Sequence, residues 1–268
     1  MKLRIVGIEF WYNSTKVLSN VEFSVDKGEF LSIIGPNGAG KTTLLKVIAR
    51  LLKPRKGVIY IDGKSLWSLK PREVAQKIAY ASTIVSNGFQ VTVLDYVLTA
   101  RYPYHGNMTL WEREEDIRIA ENALRRLGIE HLANRRLDQL SSGELQRVII
   151  ARVLVQEPEI ILVDEPTAFL DLKHKIEVMD ILRKLVEEDR KTVIAAIHDL
   201  ELAARYSDKI ILLHRGRIVA AGEPEEVLVE ENIRKTYGVN VKVVRDRELG
   251  LIIVPIESIN VSKNTSDT

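Results

Sequence analysis

Phe30-Leu31-Ser32-Ile33-Ile34-Gly35-Pro36-Asn37-Gly38-Ala39-Gly40-Lys41-Thr42-Thr43-Leu44-Leu45-Lys46-Val47-Ile48 reads as a buried strand, a glycine loop and a helix. Leu44, Leu45, Ile48 and Leu51 recur at helical spacing, so a helix is expected over 41–52, ended by Pro54. Gly35 to Thr42 fits G-x-x-x-x-G-K-[ST], and Thr43 follows inside the helix. The glycines let successive backbone N–H groups turn inward around phosphate oxygens, and the helix that follows aims its positive end at the same place. Lys41 is then placed to reach the β and γ phosphates of ATP, and Thr42 to hold Mg²⁺.

Upstream, Leu3, Ile5, Ile8, Phe10 and Tyr12 alternate, Asn13-Ser14 makes a turn, and 17–25 reads as a second strand. An antiparallel β lobe is expected to open the fold. Downstream, Ile117, Ala120, Leu124 and Leu127 fall on one helical face, so the segment from about 84 to 150 is read as a helical subdomain inserted in the core. Strand patterns return at 160–163, 192–197 and 209–213, separated by helical patterns at 174–187 and 199–206. Strands alternating with helices point to an α/β fold with a mostly parallel sheet. The expected divisions are 1–83 for the β lobe and the first part of the core, 84–150 for the helical subdomain and 151–222 for the rest of the core. A helix with a hairpin (239–244 with 251–256) is expected over 223–257, and a disordered polar tail over 258–268.

Ile160-Ile161-Leu162-Val163-Asp164-Glu165 is an apolar strand ending in two carboxylates. Residues at the carboxyl end of a parallel strand meet the ligand crevice. Asp164 is therefore the candidate for the Mg²⁺ shell, and Glu165 the candidate to position and polarise an attacking water; the plainer alternative is a solvated acidic pair.

Composition narrows the partners. Lys plus Arg (39) nearly balances Asp plus Glu (37) in a chain of 268 residues, so nothing in the net charge argues for a nucleic-acid partner, and none is expected. There are no cysteines, which removes disulfides, a thiolate nucleophile and Cys-ligated metal. No run approaches the roughly 20 apolar residues of a membrane span, and the start lacks the apolar core of a secretory signal.

Phosphate-loop chemistry is shared by kinases, GTPases and motors; the discriminating segment is Leu140-Ser141-Ser142-Gly143-Glu144-Leu145-Gln146-Arg147. With it, the chain resembles the ATPase subunits of ABC transporters, which have a P-loop NTPase core and a signature written L-S-G-G-[QE]. Ser142 stands where the first signature glycine is usual. The same residues also read as a helix N-cap, at Ser141 or Ser142. The resemblance spans residues 3–222. It implies that Ser141, Ser142, Gly143 and Glu144 face the γ-phosphate held by the opposite subunit, that Tyr12 stacks on adenine, and that Asp171 in Ala168-Phe169-Leu170-Asp171 lies at a dimer interface. His198 matches the histidine that contacts the γ-phosphate and joins Glu165 as a catalytic candidate. Partners implied are a second copy or a paralogous ATPase subunit, permease subunits, and indirectly a substrate-binding protein, at the cytoplasmic face of the membrane. Thr99-Ala100-Arg101-Tyr102-Pro103-Tyr104 and Leu170-Asp171-Leu172-Lys173-His174 are similar to subunits that energise import of iron-siderophore, haem or cobalamin. The alternative is a non-transport ABC ATPase such as an accessory factor of iron-sulfur assembly. DNA-acting members insert long coiled coils between loop and signature, whereas fewer than 100 residues separate Thr42 from Ser141 here.

A further departure from the family bears on catalysis. Ile78-Ala79-Tyr80-Ala81-Ser82-Thr83 should end in Pro-Gln, the glutamine contacting Mg²⁺ and the attacking water, and Thr83 takes its place, with Gln90 seven residues on as the other candidate. Thr83→Gln is expected to raise basal ATP hydrolysis by up to about tenfold, the effect of one positioning contact worth about 1 kcal/mol. Phosphate release checks this; an unchanged rate in Thr83→Gln with loss of activity in Gln90→Ala would assign the role to Gln90 instead.

Overall fold

β1 (Leu3–Tyr12) and β2 (Thr15–Val25) pair antiparallel across the Asn13-Ser14 turn. Leu3, Ile5, Ile8 and Phe10 are buried, although the step from Ile5 to Ile8 breaks the period of two. The pairing register shifts between those residues, and Gly7, at φ +59°, supplies the bulge that returns Ile8 to the core face. The computed structural model describes residues 2–82, 91–105, 113–248 and 250–259.

β3 (Phe30–Ile34) is buried along its whole length and leads through the glycine loop into α1 (Lys41–Ile48). The helix is shorter than the 41–52 expected. Ala49 caps it and Arg50 turns into the left-handed region at φ +61°, held by stacking on Trp67 and by donating to the Leu69 carbonyl at 2.8 Å. Leu51, expected on the apolar face, is 60% exposed as a result. The chain then returns to the first sheet as β4 (Lys56–Ile61) and β5 (Lys64–Ser65), giving the order β2-β1-β4-β5. Sequence reading missed this hairpin, whose signal is Asp62-Gly63, both at positive φ, between the two strands.

Next come α2 (Pro71–Lys77), β6 (Ile78–Ser82), α3 (Val93–Leu98), the 3₁₀ turn Thr99–Tyr104, α4 (Glu114–Arg126) and α5 (Ser142–Val155). α5 runs past the boundary expected at 150. The remainder is β7 (Ile160–Asp164), α6 (Leu172–Glu187), β8 (Thr192–Ala196), α7 (Leu200–Tyr206), β9 (Lys209–His214), β10 (Arg217–Gly222), α8 (Pro224–Val227), α9 (Glu230–Tyr237), β11 (Val239–Asp246) and β12 (Gly250–Ser258). Of the tail expected to be disordered, Ser258 closes β12, and residues 260–268 lie outside the described ones.

The central sheet has the order β10-β9-β3-β8-β7-β6, parallel except for β10. Its strands alternate between two cores. Leu31, Ile33, Leu162 and Ile194 face α1 and the β lobe, whereas Phe30, Ile34, Ile161, Val163, Val193 and Ala195 face the helices on the other side. A strand covered on both faces favours apolar residues at nearly every position, which explains the mostly apolar β3, β7 and β8; Ser32, inside β3, pairs its buried hydroxyl with Ser207. Charge latches the β lobe to this core: Lys2 and Lys77 each pair with both Asp62 and Glu159. At the other end, Tyr237 closes α9 and carries its buried hydroxyl beside the Gly35 backbone.

Buried Arg101 ties the helical subdomain together. Its guanidinium donates to Asp116 of α4 at 2.7 Å, to the Val155 carbonyl closing α5 at 2.9 Å and to Glu157 at 2.6 Å, and it stacks on Tyr104. His105 takes the other Asp116 oxygen at 2.7 Å. Arg101→Ala is expected to cost about 3–5 kcal/mol, because Asp116 stays buried with its main partner gone. Urea unfolding measures it, and the loss should shrink in the Arg101→Ala/Asp116→Ala double variant.

Candidate functional site

The glycine loop closes around itself. Gly38 (φ +77°) and Gly40 (φ +106°) take left-handed backbone, and a Cβ at Gly35 would overlap the Leu213 carbonyl oxygen. Lys41 folds its side chain back over the loop, donating to the carbonyls of Gly35 at 2.8 Å and Pro36 at 3.2 Å. It is only 5% exposed. Burial pushes its ammonium below the ordinary lysine value, opposed by Glu165 and then Asp164. Asn37, Gly38, Ala39, Gly40, Lys41, Thr42 and Thr43 line an open cavity of about 330 Å³, with Val17 on one side and Glu165 on another.

Sheet order brings the acids to this cavity. β8 lies between β3 and β7, so the carboxyl ends of the three strands open side by side. Asp164 accepts a hydrogen bond from the Thr42 hydroxyl at 3.0 Å through Oδ1 and one from the Tyr80 hydroxyl at 3.0 Å through Oδ2. Burial pushes its carboxyl up, against the lowering effect of those two hydrogen bonds. Burial, with Asp164 nearby, also raises the Tyr80 phenol, which therefore stays a donor. Sequence reading did not assign Tyr80. Its signal is parity: in the parallel register Ser82 faces Asp164 and Tyr80 faces Leu162, so residues 80 and 164 share a sheet face.

Glu165 takes a left-handed backbone at φ +55°, unusual for a residue with a side chain, and its amide donates to the Ala196 carbonyl at 3.1 Å. The turn swings the carboxylate out of the sheet, where Oε1 meets Nε2 of His198 at 2.6 Å. Both side chains remain about 40% exposed (His198 42%, Glu165 38%), and Glu165 lines the phosphate-loop cavity.

The signature residues form a second cluster. Ser141 is the N-cap of α5: its hydroxyl accepts from the Glu144 amide, and the Glu144 carboxylate accepts from the Ser141 amide at 2.8 Å. Of the two serines considered, Ser141 is the cap. Asp171 caps α6 in the same way, accepting from the His174 amide at 2.9 Å and pairing with His174 Nδ1 at 2.7 Å. The His174 ring lies against Gly143, so the two clusters of the sequence are one. None of Ser141, Ser142, Gly143, Glu144 or Asp171 lines the phosphate-loop cavity of this chain. Tyr12 ends β1, 45% exposed, its ring edge-on to Phe10 at 4.9 Å. Thr83 and Gln90 lie outside the described residues.

A methyl group at Gly143 would lie 2.5 Å from Cδ2 of His174. His174 is pinned by Asp171, so Gly143→Ala is expected to destabilise the protein by about 1–3 kcal/mol. Adding His174→Ala should recover most of the loss. Urea unfolding of the three variants checks this non-additivity.

Residues 18–168 match the family profile described as ABC transporter. An uncharacterised ABC transporter ATP-binding protein of Methanocaldococcus jannaschii is 44% identical, covering 96% of this chain and 98% of its own. The ferric enterobactin transport ATP-binding protein of Escherichia coli is 37% identical over 95% of this chain and 94% of its own. Among solved structures, a dimeric ABC transporter cassette superposes with a TM-score of 0.71 at 34% identity, covering 83% of this chain and 98% of that one. A chain of an inward-facing transporter assigned to the metal-chelate type gives a TM-score of 0.84 at 28% identity, over 95% and 97%. The glycine loop, the paired acids beyond β7 and the capped signature helix thus occur in a chain that belongs to the ABC transporter ATP-binding family.

Proposed function

We propose that this chain is the ATP-hydrolysing subunit of an importer for a metal chelate, working at the cytoplasmic face of the membrane as a pair of copies docked on separate permease subunits. The observation that carries the catalytic part is the Glu165–His198 clasp at the mouth of the phosphate-loop cavity. Lys41 exchanges its two loop carbonyls for phosphate oxygens when ATP enters, and the cavity-lining Gly38 and Gly40 to Thr43 direct their amides at the same phosphates. Glu165 orients and deprotonates the attacking water, and His198 holds Glu165 and reaches the γ-phosphate. Tyr12 offers its exposed ring to adenine. The division into an ATPase core, a helical subdomain over 84–150 and a C-terminal extension belongs to the same proposal.

The residues suit Mg²⁺. Thr42 and Asp164 offer a hydroxyl and a carboxylate 3.0 Å apart, and no group of three or more His, Cys, Asp or Glu side chains able to hold a metal occurs among the described residues. Mg²⁺ is bound in this manner, by one or two protein oxygens with phosphate and water completing the shell. Thr42 and Asp164 would hold the ion, which would supply positive charge against the phosphates there.

Two observations support a pair of copies. Ser141 to Glu144 stand apart from the cavity of their own chain, where a second copy's phosphates would meet them, and the approach to α6 and its first residue expose Phe169 (91%) and Leu172 (76%). The cargo class rests on likeness. Relatives named for transport of ferric enterobactin (37% identical) and achromobactin (40%, Dickeya dadantii) match nearly all of this chain. That full-length likeness disfavours a non-transport ATPase.

Lys41→Ala is expected to weaken ATP binding, because the charge that meets the phosphates is gone. Glu165→Gln keeps the shape, loses the base and should slow turnover by about a hundredfold or more while ATP stays bound. In that variant ATP with Mg²⁺ should convert monomer to dimer, since nucleotide becomes part of the interface. Light scattering with and without ATP decides it, and a monomer at high concentration in both conditions would overturn the two-copy reading.

A further inference from the structure

Tyr80 sits on β6, a strand of the central sheet, and its hydroxyl crosses to the end of β7 to donate to Oδ2 of Asp164 at 3.0 Å. Thr42 donates to Oδ1, also at 3.0 Å. Each oxygen of a carboxylate only 6% exposed therefore carries one hydroxyl. The two donors differ in what else they can do. Thr42 lies in the first turn of α1 beside the glycine loop, and its oxygen keeps free lone pairs while its O–H donates to Asp164, so it can serve a cation without letting go of the acid. Tyr80 is anchored in the sheet and touches the oxygen that Thr42 does not hold. The carbon–carboxylate torsion of an aspartate is broad and roughly two-fold, so a single hydrogen bond leaves the group free to rock. Two hydroxyls on opposite oxygens stop that motion.

We propose that Tyr80 is a positioning residue for the ATPase reaction: by holding Oδ2 it fixes the plane of the Asp164 carboxylate toward Thr42 and the phosphate loop, and so sets how tightly the site takes a divalent cation with its nucleotide. The proposal rests on the reading of Asp164 as the metal-binding carboxylate. Lys41 meets phosphate from its hold on the Gly35 and Pro36 carbonyls, whereas the Tyr80 hydroxyl acts on Asp164, so phosphate binding itself does not pass through Tyr80. The effect is thus on the cation, with metal-free ATP as the control.

The test uses the full chain in a Glu165→Gln background, where ATP is not consumed, with Mn²⁺ as the spectroscopic probe. Tyr80→Phe keeps the ring and its packing and removes only the hydroxyl. ATP affinity in EDTA should be unchanged, whereas the Mn²⁺ concentration that half-saturates the ATP complex, read by electron paramagnetic resonance, should rise about tenfold, as expected for one hydrogen bond to a charged group. Asp164→Asn should weaken Mn²⁺ binding further, and Tyr80→Phe added to Asp164→Asn should cost nothing more, since the tyrosine acts through the carboxylate. Wild-type Mn²⁺ affinity in Tyr80→Phe overturns the proposal. So does an equal loss from Tyr80→Phe with and without Asp164→Asn. If Asp164→Asn leaves Mn²⁺ binding intact, the metal-binding reading of Asp164 fails instead, which is a separate result.

Discussion

Strands β3, β8 and β7 are buried on both faces, so each must satisfy its backbone through neighbours on both edges. Parallel pairing with β8 in the middle is the arrangement found, and the site depends on it. Parallel strands end together. The glycine loop after β3, the turn to His198 after β8 and the acids closing β7 are thereby delivered to one rim, although they are far apart in sequence. A charge at the middle of any of these strands would face hydrocarbon, which is why the charged residues wait until the strands end; the one polar side chain inside β3, Ser32, is buried with its hydroxyl paired to that of Ser207 at 2.6 Å.

At that rim the electrostatics are balanced by burial. Lys41 and Asp164 are both nearly covered, and burial works against the charge of each, lowering the lysine and raising the aspartate. Each is compensated by fixed dipoles: loop carbonyls for the ammonium, hydroxyls of Thr42 and Tyr80 for the carboxylate. Glu165 and His198 stand outside this covered pair, each with its side chain about 40% exposed. The left-handed turn at Glu165, which costs on the order of 1 kcal/mol, is what places that carboxylate outside the sheet and against the histidine.

The signature cluster is organised by helix caps. Ser141 with Glu144 closes the start of α5, Asp171 closes the start of α6, and His174 joins them by lying on Gly143. Two helix N-termini, each with unpaired amides and a positive dipole end, are thus held in fixed relation. The contact of His174 with Gly143 ties the start of α6 to the start of α5.

The sequence by itself determined the fold class, the glycine loop, most of the strands that carry chemistry, and the identity of the loop lysine, the paired acids and the histidine. These are local signals: unbroken apolar runs, helical periodicity, fixed spacing of glycine, lysine and threonine. It misplaced what depends on partners. The end of α1 is set by Arg50 finding Trp67 and Leu69, and the missed hairpin of β4 and β5 gains its stability from pairing with β1 across the glycine loop. Tyr80 was unassigned because a tyrosine in an alternating strand looks like core until the neighbouring strand is known. Only the tertiary structure decided that β6 lies beside β7 in the register that carries its hydroxyl to Asp164, and that His174 lies on Gly143. Sequence spacing encodes what a segment forms alone, whereas strand order and register are fixed by long-range packing, and the hydrogen bonds that orient the site follow from those.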